Sequence, residues 1–168
     1  MPSTWPASTS CFRAMGTAKR PLPPSERRMP RRRLRLPADR DALTAVCDFV
    51  GKAAAASGFD DRTSYACQLA VCEAVENIIK HGYPPGAGGQ IEISAASPPG
   101  ELTIELVDTA PAFDPTRFPI DPRIPTSEDT VGGRGLLMIR RVMDEVEYRR
   151  RGRRNVLRLT KNRSFTGV

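Results

Sequence analysis

The sequence predicts an α+β fold: a two-layer sandwich of a mixed or antiparallel sheet with helices on one face. Two observations carry this. Stretches of period-two alternation come in closely spaced pairs, the signature of hairpins. Stretches with apolar residues three and four apart lie between those pairs, the signature of amphipathic helices. The order reads β-α-α-β-β-loop-α-β-β, with strands grouped rather than alternating singly with helices. The 168 residues suit one compact domain with flexible ends.

Residues 1–30 are rich in Pro, Ser and Arg and lack a hydrophobic period, so a disordered basic tail is expected there. The folded domain should span 31–163, with 164–168 a flexible C-terminus. Arg33–Leu36 alternates polar and apolar and reads as a short edge strand. Pro37-Ala38-Asp39 stops it and caps a helix. In that helix Leu43, Val46, Cys47 and Val50 recur at helical spacing, and it should end near Ser57-Gly58. Asp60 or Asp61 can cap a second helix that runs to about Lys80, where His81-Gly82-Tyr83-Pro84-Pro85 ends it. Gln90–Ser94 and Leu102–Leu106 alternate around the turn Ser97-Pro98-Pro99-Gly100, giving two antiparallel strands. Residues 109–131 hold five prolines and read as a long loop. Gly132-Gly133-Arg134-Gly135 opens a third helix through Met143. Glu145–Tyr148 and Val156–Thr160 form a last hairpin around Arg151-Gly152-Arg153-Arg154-Asn155.

The formal charge is +7. Nine of the 26 basic residues but one of the 19 acids lie in 1–35, which leaves 17 against 18, a net −1, in the rest. The excess belongs to the tail, which weighs against a nucleic-acid binder acting through residues 13–35. No apolar run approaches the roughly 20 residues that span a bilayer, and the N-terminus has no apolar signal core, so the expected location is cytoplasmic, with no membrane partner. The four cysteines form no CxxC pair, and the one histidine, His81, has no companions at ligand spacing, so no zinc site is expected. Cys47, Cys67 and Cys72 sit in apolar helical patterns and read as buried reduced thiols. No GxxxxGK[ST] loop, βα-turn GxGxxG or Ser-His-Asp set is present.

Three segments carry chemistry. In Glu73-Ala74-Val75-Glu76-Asn77, Glu73 and Asn77 are four apart and project from one helix face, sharing a stripe with Ala66 and Ala70. A carboxylate there can accept a proton from an attacking hydroxyl, and a carboxamide oxygen suits Mg²⁺. Val71, Val75, Ile78 and Ile79 occupy another side and should pack on the sheet, while Glu76 and Lys80 make an exposed i,i+4 pair. Asp108 follows a strand, where an acceptor carboxylate can hold an exocyclic amino group such as adenine's. Gly132, Gly133 and Gly135 around Arg134 let backbone N–H groups at a helix start approach a phosphate.

In order and spacing, Cys72–Tyr83, Val107–Pro115, Gly132–Tyr148 and Asn155–Lys161 together resemble the anti-sigma-factor serine-protein kinases of the GHKL, or histidine-kinase-like, ATPase superfamily. The resemblance covers about residues 33–161 and implies a Bergerat-type ATP-binding fold. It implies Glu73 as general base and Asn77 as the ligand of Mg²⁺ bridging the ATP phosphates. Asp108 would bind the adenine amino group, Gly132, Gly133 and Gly135 would be lid-hinge glycines, and 115–131 would be the ATP lid. It further implies phosphorylation of a serine on a STAS-domain anti-anti-sigma factor, sequestration of a sigma factor, and dimerisation as a common property of the kind. The family's Asp-x-Gly-x-Gly pattern has Ala110 and Ala112 at its glycine positions here. Alanine adds bulk beside the adenine and disfavours positive φ, so weaker nucleotide binding or another loop path is expected. A non-catalytic partner-switching module is the alternative reading.

Overall fold

Residue alternation in the strands decides the architecture, because it gives each strand one apolar side to bury. The structure, a computed structural model, describes residues 31–84, 86–118 and 133–163, and of Gly133 and Arg134 the backbone only. The strands are β1 (Arg32–Pro37), β2 (Gln90–Ala96), β3 (Glu101–Asp108), β4 (Glu145–Arg151) and β5 (Arg154–Asn162). They form a single sheet in the order β1-β2-β3-β5-β4, with every pair antiparallel. The helices are α1 (Ala42–Ala56), α2 (Asp61–Asn77) and α3 (Gly133–Val142). This is the expected α+β arrangement, with the sheet antiparallel rather than mixed.

Ile91, Ile93, Leu102, Ile104, Leu106 and Leu159 point inward and are buried in one core with Val46, Val50, Val71 and Val75 of the helices. Leu34 and Leu36 of the edge strand pack against that core. The alternate residues face the other way and carry charge. Arg31 pairs with Glu105 at 2.8 Å, and Glu92 sits between Arg35 at 3.2 Å and Arg154 at 3.4 Å. Such partly exposed pairs contribute at most about 1 kcal/mol each. Their main effect is to keep the uncovered face wet, so the helices have only one side to pack on.

Helix starts follow their capping residues. Asp39 Oδ1 accepts from the Ala42 N–H at 3.1 Å. Asp60 Oδ1 accepts from the Thr63 N–H at 2.7 Å, so Asp60 rather than Asp61 caps α2. Hydrogen bonds from the Thr63 side chain and then its backbone hold the Asp60 carboxyl below its ordinary range. The second helix departs from expectation at its far end. It is α-helical only to Asn77 and continues as one π-helical turn over Ile78–Gly82. Hydrophobic spacing does not distinguish i→i−4 from i→i−5 bonding, and such turns are frequent at functional sites. Glu76 and Lys80 still pair across it, at 2.7 Å.

Two further expectations are corrected. Asn155 lies on β5, not in the hairpin turn, which is confined to Gly152 and Arg153 with Gly152 at φ +59°. Cys47 and Cys72 are not separate side chains but are paired sulfur to sulfur, their Cα atoms 6.5 Å apart across the α1–α2 contact. The register between two packed helices is what brings them together, and single-chain periodicity does not contain it. Cys67 is free and fully buried, as expected, while Cys11, the tail and residues 164–168 lie outside the described residues.

Burial pushes the Cys67 thiol up to about 11 from an ordinary 9. An alkylating reagent at pH 8 should therefore leave Cys67 unmodified in native protein and modify it in urea, as read by mass spectrometry. Stability should fall as pH rises from about 9 towards 11, because the unfolded thiol loses its proton first.

Candidate functional site

Helix α2 places the first two site residues. Val71, Ala74 and Val75 are buried, which fixes the rotation of the helix and turns Glu73 and Asn77 towards α3. The first turn of α3 comes down directly on them. A Cβ on Gly135 would lie 2.5 Å from Glu73 Oε2 and 3.5 Å from Asn77 Nδ2. Only glycine permits this approach. Asn77 Nδ2 is buried and has no hydrogen-bond partner among the described residues. A buried amide left so costs about 1–3 kcal/mol unless a ligand satisfies it. Rotating the carboxamide presents its oxygen to the same space.

Asn77, Asp108, Ala110 and Ala112 line one cavity. Ala74, Ile78, Leu136, Ile139, Val146 and Leu157 give it apolar walls. Glu73 is not part of that lining and stands beside Asn77 under Gly135. Asp108 ends β3, is 5% exposed, and accepts the Ala110 N–H on Oδ1 at 2.8 Å. An aromatic pair follows on the same loop, Phe113 and Phe118, with centroids 5.9 Å apart. Arg140 of α3 ties this loop down: its Nη2 donates to the carbonyls of Pro115 at 2.7 Å, Phe118 at 2.9 Å and Thr116 at 3.1 Å.

The two alanines are accommodated without strain. No non-glycine residue among those described has positive φ, so the loop takes an ordinary path through Ala110 and Ala112. Room for the Ala110 methyl comes from the π turn. A Cβ on Gly82 would lie 2.8 Å from the Ala110 Cβ, so glycine at 82 offsets alanine at 110. Gly133 opens α3, Gly132 lies outside the described residues, and so do the Arg134 side chain and most of the expected lid, 119–131.

Reasoning from sequence missed Asn155, Tyr148, Arg150 and Arg140. A signal existed for Asn155: it stands in phase with the inward residues Leu157 and Leu159, where a polar side chain needs a buried partner. Arg140 and Arg150 gave none, being arginines among arginines.

A carboxylate and a carboxamide on one helix beneath a glycine-led helix, with an acceptor carboxylate on the same apolar cavity, are the arrangement that the resemblance to the GHKL ATPases implies. Residues 36–161 match the model of the histidine kinase-like ATPase domain, and the chain belongs to that family. Curated relatives place it among the protein serine kinases. The chain is 31% identical over 100 residues to the serine/threonine-protein kinase BtrW of Bordetella bronchiseptica, covering 59% of this chain and 70% of that protein. It is 31% identical over 119 residues to the serine-protein kinase RsbW of Halalkalibacterium halodurans, covering 64% and 72%. The RsbW of Oceanobacillus iheyensis is 28% identical over 95 residues, 54% of this chain and 60% of that protein. The crystal structure of the RsbU and RsbW domains of a Mycobacterium tuberculosis protein aligns with a TM-score of 0.53 at 20% identity, over 83% of this chain and 34% of that one, a likeness of fold. An ATPase domain of this family implies ATP binding. No helix among the described residues is long and apolar enough to cross a membrane.

Gly135→Ala should separate function from stability. Alanine favours the helix by about 0.5–1 kcal/mol, so the urea midpoint should hold or rise. The new methyl displaces Glu73, so phosphoryl transfer should fall about 10²-fold.

Proposed function

We propose that this protein is an ATP-dependent serine-protein kinase and anti-sigma factor that works in the cytoplasm. Its substrate is a serine on a STAS-domain anti-anti-sigma factor, and its second partner is a sigma factor. The observation that carries the proposal is the convergence of Glu73 and the orphaned Asn77 carboxamide beneath Gly135, with Asn77 and Asp108 lining the same cavity.

Each side chain has a defined task. Asp108 accepts from the exocyclic amino group of the base. Ile78, Leu136, Ile139 and Leu157 exclude water from its faces. The residues fit a metal as well: Asn77 would hold Mg²⁺ through its carboxamide oxygen, the hard ligand this ion prefers. When bound, ATP with Mg²⁺ supplies the γ-phosphoryl group and the neutralisation of its charge. Glu73 accepts the proton of the serine hydroxyl as the new O–P bond forms and the bond to the ADP oxygen breaks. The helix start at Gly133 would offer N–H groups to the phosphates. Gly132 and Arg134 would complete that cradle. The chain spans about a third of the two-domain chain whose fold it shares, so the serine substrate and the sigma factor are assigned here by kinship with the kinases named above. Dimerisation would follow from the same kinship.

A kinase assay with Mg-ATP and a cognate STAS-domain protein tests the assignment. Glu73→Gln should lower the rate about 10²- to 10⁴-fold while leaving Mg-ATP affinity within about threefold. An unchanged rate would remove Glu73 from the chemistry. Undetectable binding at millimolar Mg-ATP by calorimetry would instead leave a partner-switching module without catalysis.

A further inference from the structure

We infer that the outer edge of β4 pairs with β4 of a second copy of this chain, antiparallel and in one register, so that two sheets join into one. The inference goes beyond the proposed kinase activity and does not depend on nucleotide binding.

β4 ends the strand order, so among the described residues one row of its backbone N–H and C=O groups has no strand beside it. Glu145, Glu147, Arg149, Arg150 and Arg151 of this strand are exposed. Alternation sets Glu145, Glu147, Arg149 and Arg151 on the charged outer face of the sheet. That face of the strand is therefore acidic at one end and basic at the other. The opposite edge of the sheet differs: β1 carries Arg32, Arg33 and Arg35 and no acid, so two copies of it repel.

Charge of one sign on an edge strand repels another edge. Charge split along the strand attracts an antiparallel copy. With a two-fold axis at Tyr148, Glu145 of each copy faces Arg151 of the other, and Glu147 of each faces Arg149 of the other. Sliding the strands by two residues sets Glu147 against Glu147 or Arg149 against Arg149, so the charges select this register. Two of these groups also lack a partner inside the chain. The side chains of Glu145 and Arg151 make no hydrogen bond or ion pair among the described residues. Arg151 stands directly opposite Arg154 across the hairpin, a like-charge pair that weakens the ladder until a carboxylate reaches it. Arg149 and Glu147 touch along their own strand at 3.5 Å, with side chains 58% and 46% exposed, so both stay within reach of a second copy.

The experiment is sedimentation equilibrium of the full chain from about 1 to about 100 μM. Wild type should form a reversible dimer whose dissociation constant rises about tenfold between about 0.05 and about 0.5 M salt. Arg149→Glu with Arg151→Glu makes the edge wholly acidic, and Glu145→Arg with Glu147→Arg makes it wholly basic. Each double variant alone should weaken self-association at least about 100-fold. Mixed one to one, the two should form a heterodimer at least as tight as wild type, which also shows that both fold. Wild type that stays monomeric, double variants that still dimerise alone, or a mixture that stays monomeric overturns this inference. Monomeric wild type that binds an oligoglutamate peptide through Arg149 and Arg151 overturns it as well and assigns the edge to an acidic partner. None of these outcomes bears on the nucleotide site, which the kinase assay tests separately.

Discussion

The burial of one face of α2 on the sheet determines where the chemistry of this protein lies. Val71, Ala74 and Val75 are almost wholly buried, and a helix advances 100° per residue, so the positions of Glu73 and Asn77 follow from the packing of their neighbours. The charged outer face of the sheet contributes indirectly, because its Arg and Glu residues stay solvated and leave the helices a single layer to occupy. Helix α3 then packs on α2, and the missing Cβ of its glycine at 135 leaves the space that the Glu73 and Asn77 side chains occupy.

A second polar system sits at the other side of the cavity and is built on the sheet instead. Asp108, Asn155 and Arg150 are neighbours in the ladder of three adjacent strands. Their spacing is set by backbone hydrogen bonds and does not depend on the loop that follows β3. Arg140 holds that loop by three carbonyls, so the segment joining Asp108 to the lid is anchored to the helix that bears Gly135. The two halves of the site are thus carried by different elements, α2 with α3 on one side and β3 with β5 on the other, and the loop couples them.

Much of the fold was legible because it depends on local periodicity. The alternation at 90–94 and 102–106 and the helical spacing of Leu43, Val46, Cys47 and Val50 each report which face is buried, and the elements formed where those patterns said. Glu73, Asn77 and Asp108 stood out by their spacing within Cys72–Tyr83 and Val107–Pro115, and Asn77 and Asp108 do line one cavity, with Glu73 beside Asn77. What the sequence lacks is register between elements distant in the chain. The Cys47–Cys72 pairing depends on how α1 and α2 slide against each other. The reach of Arg140 to 115–118 and of Arg150 to Ala110 depends on tertiary approach, and one arginine among many carries no mark of it. Asn155 is intermediate: its polarity at an inward strand position was visible, but its partners were not.

The alanines at 110 and 112 show why a motif departure has to be judged with its surroundings. Glycine is required where φ is positive or where a second backbone comes close. Positive φ occurs at neither 110 nor 112, since no described non-glycine residue has it, and the Ala110 N–H still reaches Asp108 Oδ1. The close approach has moved to the other partner. Gly82, in the π turn that follows Asn77, lacks the Cβ that would collide with the Ala110 methyl. That turn differs from an α-helical continuation by one residue of hydrogen-bond reach, and it sets where Gly82 meets the loop. The change at 110 and the geometry at 78–82 are therefore one feature of the cavity wall. Read as isolated positions they suggest a weakened nucleotide site; read as a contact they preserve the Asp108 acceptor.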